Sequence, residues 1–440
     1  MEIERRDSVR QFYLLSNLIK DEIVDKTKPF DIPKALVWKA FQLVKANQGA
    51  AGVDGESITE FEQNLSRNLY KLWNRMSSGS YFPPAVKGVK IPKKQPGEYR
   101  LLGVPCVSDR ICQMVVKLVF EPLVEPYFLP DSYGYRANKS ALDAVAITRE
   151  RCWQYDYVLE FDIRALFDRI DHKLLLKAVR KHTDNKWVIL YIERWLTASM
   201  QMPDGTEIAR TCGTPQGGVA SPVLANLFLH YVFDAWMTIY HKDKPWARYA
   251  DDGIVHCRTE TEAQALLVEL RQRFAECGLE IHPDKTKIVY CKDSNRNENY
   301  PNTSFTFLGY EFRQRKAKNY KTGTYFMSFL PAVSKEAKKS MSTKIRELNV
   351  RNRSDLSLEQ LAQWLNPILN GWINYYGKFT KSALSTVFQR LNTTLIKWSM
   401  RKYKKLREHF TKAAELMERT AIKRKHLFAH WKFGVTSAFV

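Results

Sequence analysis

The feature that most constrains this sequence is a short pattern at residues 246–257, where two strand-forming stretches flank Asp251, Asp252 and Gly253. So few turn residues between two such stretches predict a tight β-hairpin with the carboxylates at its turn. A further apolar stretch at residues 157–163 predicts a buried strand, and Asp162 lies near its end. Strand ends and tight turns hold side chains rigidly, as a catalytic site requires.

Carboxylates in such positions suit nucleotidyl transfer with divalent cations. Mg²⁺ prefers carboxylate and phosphate oxygens and keeps part of its water shell, so two or three aspartates suffice to hold it. Two such ions about 3.5–4 Å apart activate the attacking hydroxyl and steady the triphosphate. Taken alone, however, an Asp-Asp-Gly triplet is more often an ordinary turn, because turns favour Asp and Gly for their backbone geometry.

The net charge points to a polyanionic partner. Lys and Arg number 69 against 47 Asp and Glu, a formal net charge of +22. Residues 331–440 contain 22 of these cations and 7 of the acids, so a quarter of the chain holds +15 of the excess. This asymmetry favours nucleic acid, and the alternative is a solvated basic surface without a dedicated partner. No apolar run approaches the ~20 residues of a membrane span, and the start lacks a signal-peptide core, so we expect a cytoplasmic protein.

The pattern of elements changes along the chain, which predicts an α+β body followed by helices. Helical spacing and strand-like runs alternate in the body, and the helices that follow residue 333 are basic and aromatic. We therefore divide the chain into residues 1–85, 86–332 and 333–440. The predicted helices are 8–30, 32–46, 57–78, 109–128, 222–240, 262–277, 333–349, 357–376 and 381–410, and the predicted strands are 86–92, 100–104, 157–163 and 305–312.

The hairpin and several other sequence segments together resemble a known protein family. RYADDGIV at 248–255, EFDIRALFDRIDH at 160–172 and GTPQGGVASPVLANLFL at 213–229 resemble successive motifs of reverse transcriptases. Further motifs in the same order are RLLGVPCVSDRICQ at 100–113, SYGYRANKSALDAV at 132–145, GLEIHPDKTKIV at 278–289 and FTFLGYEF at 305–312. The form GTPQGGVASP is similar to that of bacterial group II intron proteins.

The C-terminal part extends this resemblance. LNPILNGWINYYGKF at 365–379 and AIKRKHLFAHWKFG at 421–434 resemble the maturase, or X, domain of group II intron proteins. The resemblance implies a right-hand polymerase, with an N-terminal extension and the start of the fingers at 1–85, fingers and palm at 86–332, and a helical thumb and maturase domain at 333–440. Because the seven cysteines include no closely spaced pairs, we expect no C-terminal HNH endonuclease domain.

The resemblance assigns roles to individual residues. Asp162, Asp251, Asp252 and the Ile163 carbonyl are expected to hold two Mg²⁺ ions. Lys93 and Arg100 would meet the triphosphate, although solvated hairpin charges are an equal alternative. Phe167 would exclude a 2′ hydroxyl, although its spacing alone favours a core phenylalanine. Gln216, Gly217 and Gly218 would line the nucleotide pocket, and Lys285 would protonate pyrophosphate unless it is merely solvated.

Two C-terminal features are candidates for RNA contact. The run RKYKKLR contains five cations that would bind phosphates without reading sequence, namely Arg401, Lys402, Lys404, Lys405 and Arg407. An aromatic stripe, Trp364, Trp372, Tyr375 and Tyr376, is more often a helix-bundle core than a base-stacking platform.

The resemblance implies a group II intron protein that binds its intron RNA, assists splicing and reverse-transcribes the RNA for retrohoming. Its partners would be intron RNA as template, a DNA primer or target, and dNTPs, in a bacterial cytoplasm and at the nucleoid. The oligomeric state stays open, with a dimer as one option. Two alternatives remain: a free-standing host reverse transcriptase for DNA repair or phage defence, and a splicing factor with an inactive polymerase site.

Overall fold

The computed structural model describes residues 28–92, 97, 99–319 and 321–436. The predicted triphosphate contact Lys93 and most of the helix predicted at 8–30 lie outside them. The strands are β1 Val86–Pro92, β2 Tyr99–Val104, β3 Tyr157–Asp162, β4 Met200–Gln201, β5 Glu207–Ile208, β6 Trp246–Tyr249, β7 Asp252–Cys257, β8 Lys287–Tyr290, β9 Ser304–Phe307, β10 Tyr310–Lys318 and β11 Tyr325–Val333. The helices of the body are Lys34–Asn47, Ile58–Gln63, Leu65–Ser77, Val107–Val124, Ala141–Cys152, Leu166–Arg169, His172–His182, Lys186–Thr197, Ser221–Leu229, Ala235–Tyr240 and Glu260–Glu276. The C-terminal helices are Lys335–Glu347, Leu358–Tyr376, Ser385–Lys402, Phe410–Lys423 and Ala429–Lys432.

A four-stranded antiparallel sheet with the order β6-β7-β3-β8 forms the centre of the body. Its inner strand β3 is apolar because helices cover the sheet, and Val158, Leu159 and Phe161 are all buried. The largest core packs this sheet against helices drawn from residues 34–276. Two smaller sheets, β2-β1-β4-β5 and β11-β10-β9, lie beside it.

The helical C-terminal region has its own core, which runs from Val333 to Trp431. It meets the body through aromatic side chains rather than through a linker. The Tyr375 hydroxyl donates to the Leu308 carbonyl at 2.8 Å, and the Tyr310 ring lies 5.5 Å from that of Tyr376. Two members of the aromatic stripe therefore serve as packing contacts. Trp364 is 36% exposed and lies beneath the Arg353 guanidinium.

The single strand predicted at residues 305–312 is wrong, because the chain turns back on itself there. Leu308 and Gly309 have φ values of 51° and 79°, which is the backbone of a two-residue hairpin turn. The segment therefore supplies β9 and the start of β10. Strand β11, which pairs with β10 along its whole length, was not predicted, because its apolar residues lie directly before the helical pattern.

Three predicted helices also differ from the structure. The helix at 57–78 divides at Asn64, and the helix at 222–240 contains a π-helical turn at His230–Asp234. The helix predicted to reach residue 410 ends at Lys402, since Tyr403 is extended and Lys404–Leu406 form a 3₁₀ turn. Neither Pro nor Gly marks these breaks, so periodicity alone joined the segments.

Across the described ranges, no helix combines the length and the apolar character needed to cross a bilayer.

Candidate active site

Strand register brings the three predicted carboxylates together. Asp162 ends β3 and is the direct antiparallel partner of Asp252, which begins β7. The hairpin turn consists of Ala250 and Asp251, one residue earlier than the Asp-Asp-Gly pattern suggests, and Ala250 has a φ of 56°. The Ile163 amide donates to the Asp251 carbonyl at 3.2 Å. The backbone next to Asp162 therefore binds the turn directly.

Gly253 permits this close pairing. It lies opposite Phe161 in the β3–β7 ladder, and a Cβ at residue 253 would come 2.1 Å from the Phe161 ring. The ring is 1% exposed and packs on Phe233 and Phe274, so it cannot move aside. The glycine after the two aspartates is thus required by packing on the central sheet.

Burial and mutual repulsion destabilise the ionised form of these carboxylates. Burial raises the pKa of Asp252 to about 7, and the charges of Asp251 and Asp162 add to that shift. Burial also raises the pKa of Asp251, whereas Arg100 and Lys285 oppose the shift. Groups that resist ionisation this way bind a cation to relieve the repulsion.

Two predicted cations face the carboxylates. The Lys285 ammonium lies 2.9 Å from Asp162 Oδ2, and Lys285 follows a bridge that pairs Ile163 with Ile281. Arg100 is exposed on β2, and its charge acts to lower the pKa of both Asp251 and Tyr135. The structure thus places Lys285 and Arg100 beside the carboxylate cluster.

The donor set suits a hard divalent cation. Within the described ranges, no three His, Cys, Asp or Glu side chains are arranged to hold a metal ion as they stand. The Lys285 ammonium already neutralises one oxygen of Asp162. The three carboxylates nevertheless lie close together and offer the oxygen ligands that Mg²⁺ prefers.

The loop with the predicted nucleotide residues lies against β2. The Gly103 amide donates to the Gln216 carbonyl at 2.7 Å. Gly217 has a φ of 117°, and a Cβ there would lie 2.4 Å from the Gly103 carbonyl oxygen. Gly218 is buried, and its amide donates to the Pro215 carbonyl at 3.1 Å. The glycines therefore allow the loop backbone to approach the strand that contains Arg100.

A buried polar network anchors this loop. Gln113 Oε1 accepts from the Val219 amide at 2.7 Å, and its Nε2 donates to Asp109 at 2.9 Å. Asp109 also accepts from the Tyr81 hydroxyl and from Trp195 Nε1. Sequence reasoning did not assign these residues a role. The signal was present, because Asp109 and Gln113 are four residues apart on the apolar face of a predicted helix.

Phe167 lies next to the loop that contains the predicted nucleotide residues. Its side chain is partly buried against the main core, and its ring meets the Tyr135 ring edge-on at 6.4 Å. The Phe167 carbonyl accepts from the Thr214 amide at 2.6 Å. The position combines core packing with partial access to the site, so both interpretations of this phenylalanine remain compatible with its surroundings.

A fully buried arginine supports the hairpin and was also not singled out by the sequence. Arg248 on β6 forms two 2.7 Å hydrogen bonds to the Asp234 carboxylate, and neither side chain is exposed. It also donates to the Asn226 side chain, the Ala250 carbonyl and the Ser132 hydroxyl. The bond to Ala250 fixes the turn that contains Asp251. A charged residue inside an otherwise apolar strand was the available signal.

The five predicted RNA contacts do not share one helical face. Arg401 and Lys402 end a helix, Lys404 and Lys405 lie in the following 3₁₀ turn, and Arg407 follows that turn. Lys402 donates to the Ser354 carbonyl at 2.7 Å and is half-buried, whereas the other four are exposed.

Two family models match parts of this chain. The family described as "Reverse transcriptase (RNA-dependent DNA polymerase)" matches residues 91–312, just over half of the chain. "Group II intron, maturase-specific domain" matches residues 338–414. A telomerase structure from Candida albicans, in complex with a fragment of telomeric RNA, covers 87% of this chain and 69% of its own, at 13% identity and a TM-score of 0.44.

Two curated relatives illustrate the range of similarity. Protein YkfC of Escherichia coli is 29% identical over 64% of this chain and 81% of its own length. The group II intron-encoded protein LtrA of Lactococcus lactis is 28% identical over 48% of this chain, and the match spans 35% of LtrA.

A central sheet with paired aspartates on a hairpin, within the matched region, defines a nucleotidyltransferase of the right-hand polymerase class. The expected α+β fold class is confirmed. The chain belongs to the reverse transcriptase family, and its C-terminal region is a group II intron maturase domain. The resemblance of the sequence motifs to group II intron reverse transcriptases and maturases is therefore confirmed. Members of this family generally use divalent metal ions.

Proposed function

We propose that this chain is an RNA-directed DNA polymerase that serves a group II intron, with two Mg²⁺ ions as cofactors. The register of Asp162 with Asp252, next to Asp251 in the hairpin turn, carries the proposal. Held by these aspartates and the Ile163 carbonyl, the ions would activate the primer 3′ hydroxyl and steady the triphosphate. RNA template, DNA primer and dNTPs are the proposed substrates.

The protein's own residues would divide the remaining work. Arg100 binds the triphosphate from β2, where its charge already acts on Asp251. Such a cation offsets charge that develops during phosphoryl transfer. Gln216 and Gly217 line the base and sugar pocket, because their loop lies against the same strand. Lys285 exchanges its contact with Asp162 for the leaving pyrophosphate, to which it donates a proton.

Primer extension on an RNA template tests the polymerase directly. We expect Mg²⁺-dependent cDNA synthesis by the full chain and none after chelation with EDTA. Asp251→Asn should reduce extension to background, because it removes metal-binding charge with little change in shape. Glu298→Gln, on an exposed loop of the body, is the matched control and should retain full activity. Full activity in Asp251→Asn would refute the assignment of the site.

The intron role rests on the maturase domain and on the basic charge of residues 331–440. We propose that the protein binds its intron RNA, assists splicing and copies the RNA for retrohoming. A bacterial cytoplasm, and the nucleoid during DNA targeting, is the proposed compartment. Splicing of the RNA that flanks the gene, measured with and without the protein, tests this role. A gene without flanking intron-type RNA would favour a free-standing host reverse transcriptase instead.

A further inference from the structure

A small cavity in the C-terminal region is lined by four cations that the sequence did not group together. Its volume is about 210 Å³, and its wall is formed by Arg351, Lys397, Met400, Arg401, Arg407 and Glu408. The ion pairs of the described C-terminal residues use other cations, namely Lys344, Arg353, Arg419 and Arg424. The four cations of the cavity thus face one carboxylate and have no ion-pair partner among the described residues.

Two of the cations share one face of a helix. Lys397 and Arg401 are four residues apart on helix Ser385–Lys402, so their side chains are neighbours. The opposite face is fixed in the core, where Phe388 and Leu395 are buried. This helix cannot rotate to separate the two charges without exposing that core.

The third cation comes from a different segment that is fastened to the same helix. Arg351 lies in the 3₁₀ turn Val350–Asn352, and Val350 is fully buried. Trp398 Nε1 donates to the Arg353 carbonyl at 2.9 Å, and Lys402 Nζ donates to the Ser354 carbonyl at 2.7 Å. These bonds hold the segment of Arg351 against the helix.

The fourth cation is brought back by the break in the chain after Lys402. The Leu406 amide donates to the Tyr403 carbonyl at 2.9 Å, and the Leu406 side chain packs against the helical core. Arg407 follows directly, and Glu408 has a φ of 71°. The turn therefore returns Arg407 to the helix face that contains Arg401, whereas a continuous helix would carry Arg407 further along the axis.

We propose that this cavity binds one phosphodiester group of an RNA strand. Three guanidinium groups and one ammonium supply planar and point-like donors for phosphate oxygens. Like charges fixed in one cavity repel one another, and a bound anion relieves this repulsion. This inference rests on the proposed RNA-binding role of the region and adds to it one specific phosphate-binding site. A free phosphate ion has the same chemistry and is tested separately.

The test compares two fourfold variants of the full chain with an equal reduction in charge. The site variant is Arg351→Gln, Lys397→Gln, Arg401→Gln and Arg407→Gln together. The matched control replaces four exposed cations outside both the cavity and the basic run, Lys339→Gln, Lys412→Gln, Lys423→Gln and Lys425→Gln. Kd for a 20-nucleotide single-stranded RNA of mixed sequence is measured across a series of salt concentrations.

We expect the site variant to bind RNA roughly ten-fold more weakly at 0.1 M salt, with a log–log salt slope flatter by about 0.7, the value for one phosphate that is no longer bound. The control should bind only about two-fold more weakly. Equal weakening in the two variants would show a diffuse charge effect and overturn the site. A Kd for inorganic phosphate below that for RNA would assign the cavity to the free ion and would equally overturn it.

Two further measurements keep the result interpretable. Primer extension at saturating template should be unchanged in both variants, so failure of the cavity is distinguishable from failure of the proposed polymerase. Circular dichroism reports folding. If the site variant lost its helical signal, the double variant Arg351→Gln with Lys397→Gln would be compared with Lys412→Gln with Lys423→Gln, which removes the same number of charges outside the cavity.

Discussion

The hairpin that contains Asp251 and Asp252 differs from the C-terminal cavity in how its charged groups are arranged. Asp251 and Asp252 are largely buried, and a buried arginine with five hydrogen bonds fixes their turn. Arg351 and Arg401 are exposed and form no ion pair with any described residue, although their backbones are held as firmly. The hairpin therefore depends on position, whereas the cavity depends on the sum of its charges. Single conservative changes should damage the first far more than the second.

The largest expected effect is that one substitution in the hairpin abolishes polymerase activity and leaves RNA binding nearly unchanged. Asp252→Asn should abolish extension, because the metal ligands lose a negative charge while the hairpin keeps its shape. RNA affinity should stay within about two-fold of wild type, since the basic surface is untouched. Primer extension and filter binding on the same preparation measure both. Parallel loss of the two activities would show that the regions are not separable.

A smaller but still large effect is expected at the support of the hairpin. Arg248→Lys keeps the charge but cannot form two parallel bonds to Asp234, and it leaves buried acceptors unsatisfied. We expect a loss of stability of about 3 kcal/mol, the cost of breaking a buried pair, together with a kcat lowered at least about ten-fold.

The control for this support is Arg258→Lys, because Arg258 is an exposed arginine just after the same hairpin. A raised Mg²⁺ requirement in Arg248→Lys at unchanged RNA affinity would identify displaced carboxylates rather than general unfolding. Loss of stability with normal kcat and normal Mg²⁺ dependence would reduce Arg248 to a structural residue.

Neutralising the basic run tests whether the C-terminal region binds RNA through its positive charge. Replacing Arg401, Lys402, Lys404, Lys405 and Arg407 together should weaken RNA binding and flatten its salt slope, by about 0.7–0.9 for each phosphate that the variant no longer binds. Short-primer extension at saturating template should survive. Wild-type affinity at every salt concentration would mean that the run faces bulk solvent. Because Lys402 holds the Ser354 carbonyl, circular dichroism must accompany the measurement.

The hairpin was more predictable from sequence than the cavity for a physical reason. The tight turn marks the β6–β7 hairpin locally, whereas Asp162 and Asp252 lie on strands that are distant in sequence, and the resemblance to reverse transcriptase motifs grouped them. Arg407 meets Arg401 because the helix ends at Lys402 and the next turn folds back, whereas Arg351 comes from an earlier 3₁₀ turn that hydrogen bonds hold against the helix. No local signal marks that ending, so periodicity predicts the basic run as part of one helix.

The supports of the active site were missed for a different reason. Asp109 and Arg248 are buried charges in segments that are otherwise apolar, and their partners are distant in sequence. Only the folded chain shows that Asp109 reaches the nucleotide loop through Gln113. Pattern reasoning identifies the groups that face substrate, whereas the groups that hold them depend on tertiary packing.

A moderate effect is expected at Phe167, where catalysis and packing overlap. Phe167→Val should raise ribonucleotide incorporation several-fold if the ring excludes a 2′ hydroxyl, because an extra hydroxyl is rejected sterically and not through a hydrogen bond. Phe167→Tyr is the matched control and should keep the preference for deoxynucleotides. Extension with mixed nucleotide pools measures the ratio. An unchanged sugar preference in Phe167→Val would leave the residue as a packing element beside Tyr135.

The smallest expected effect compares buried histidines in the two regions. Burial lowers the pKa of His256 in the central sheet and of His430 in the helical core to about 3. An unfolded histidine has a pKa of about 6.5, so the unfolded chain takes up protons that the folded chain refuses as pH falls below that value. The stability is fully present above about pH 6.5 and is lost toward pH 3, by up to about 1.4 kcal/mol per unit for each histidine.

Glutamine at either position removes this titration while it keeps a polar side chain. His430→Gln retains a donor for the side-chain Oδ1 of Asn392, which also accepts from Trp431 Nε1 at 2.9 Å. Between about pH 7 and pH 5.5 we expect His430→Gln to lose roughly 1 kcal/mol less stability than wild type. Thermal unfolding of His430→Gln and His256→Gln at the two pH values measures whether the regions unfold as one unit. If each variant reduces the pH dependence of a different unfolding transition, the body and the helical region unfold separately. If both variants reduce the pH dependence of one shared transition, the two regions form one cooperative unit.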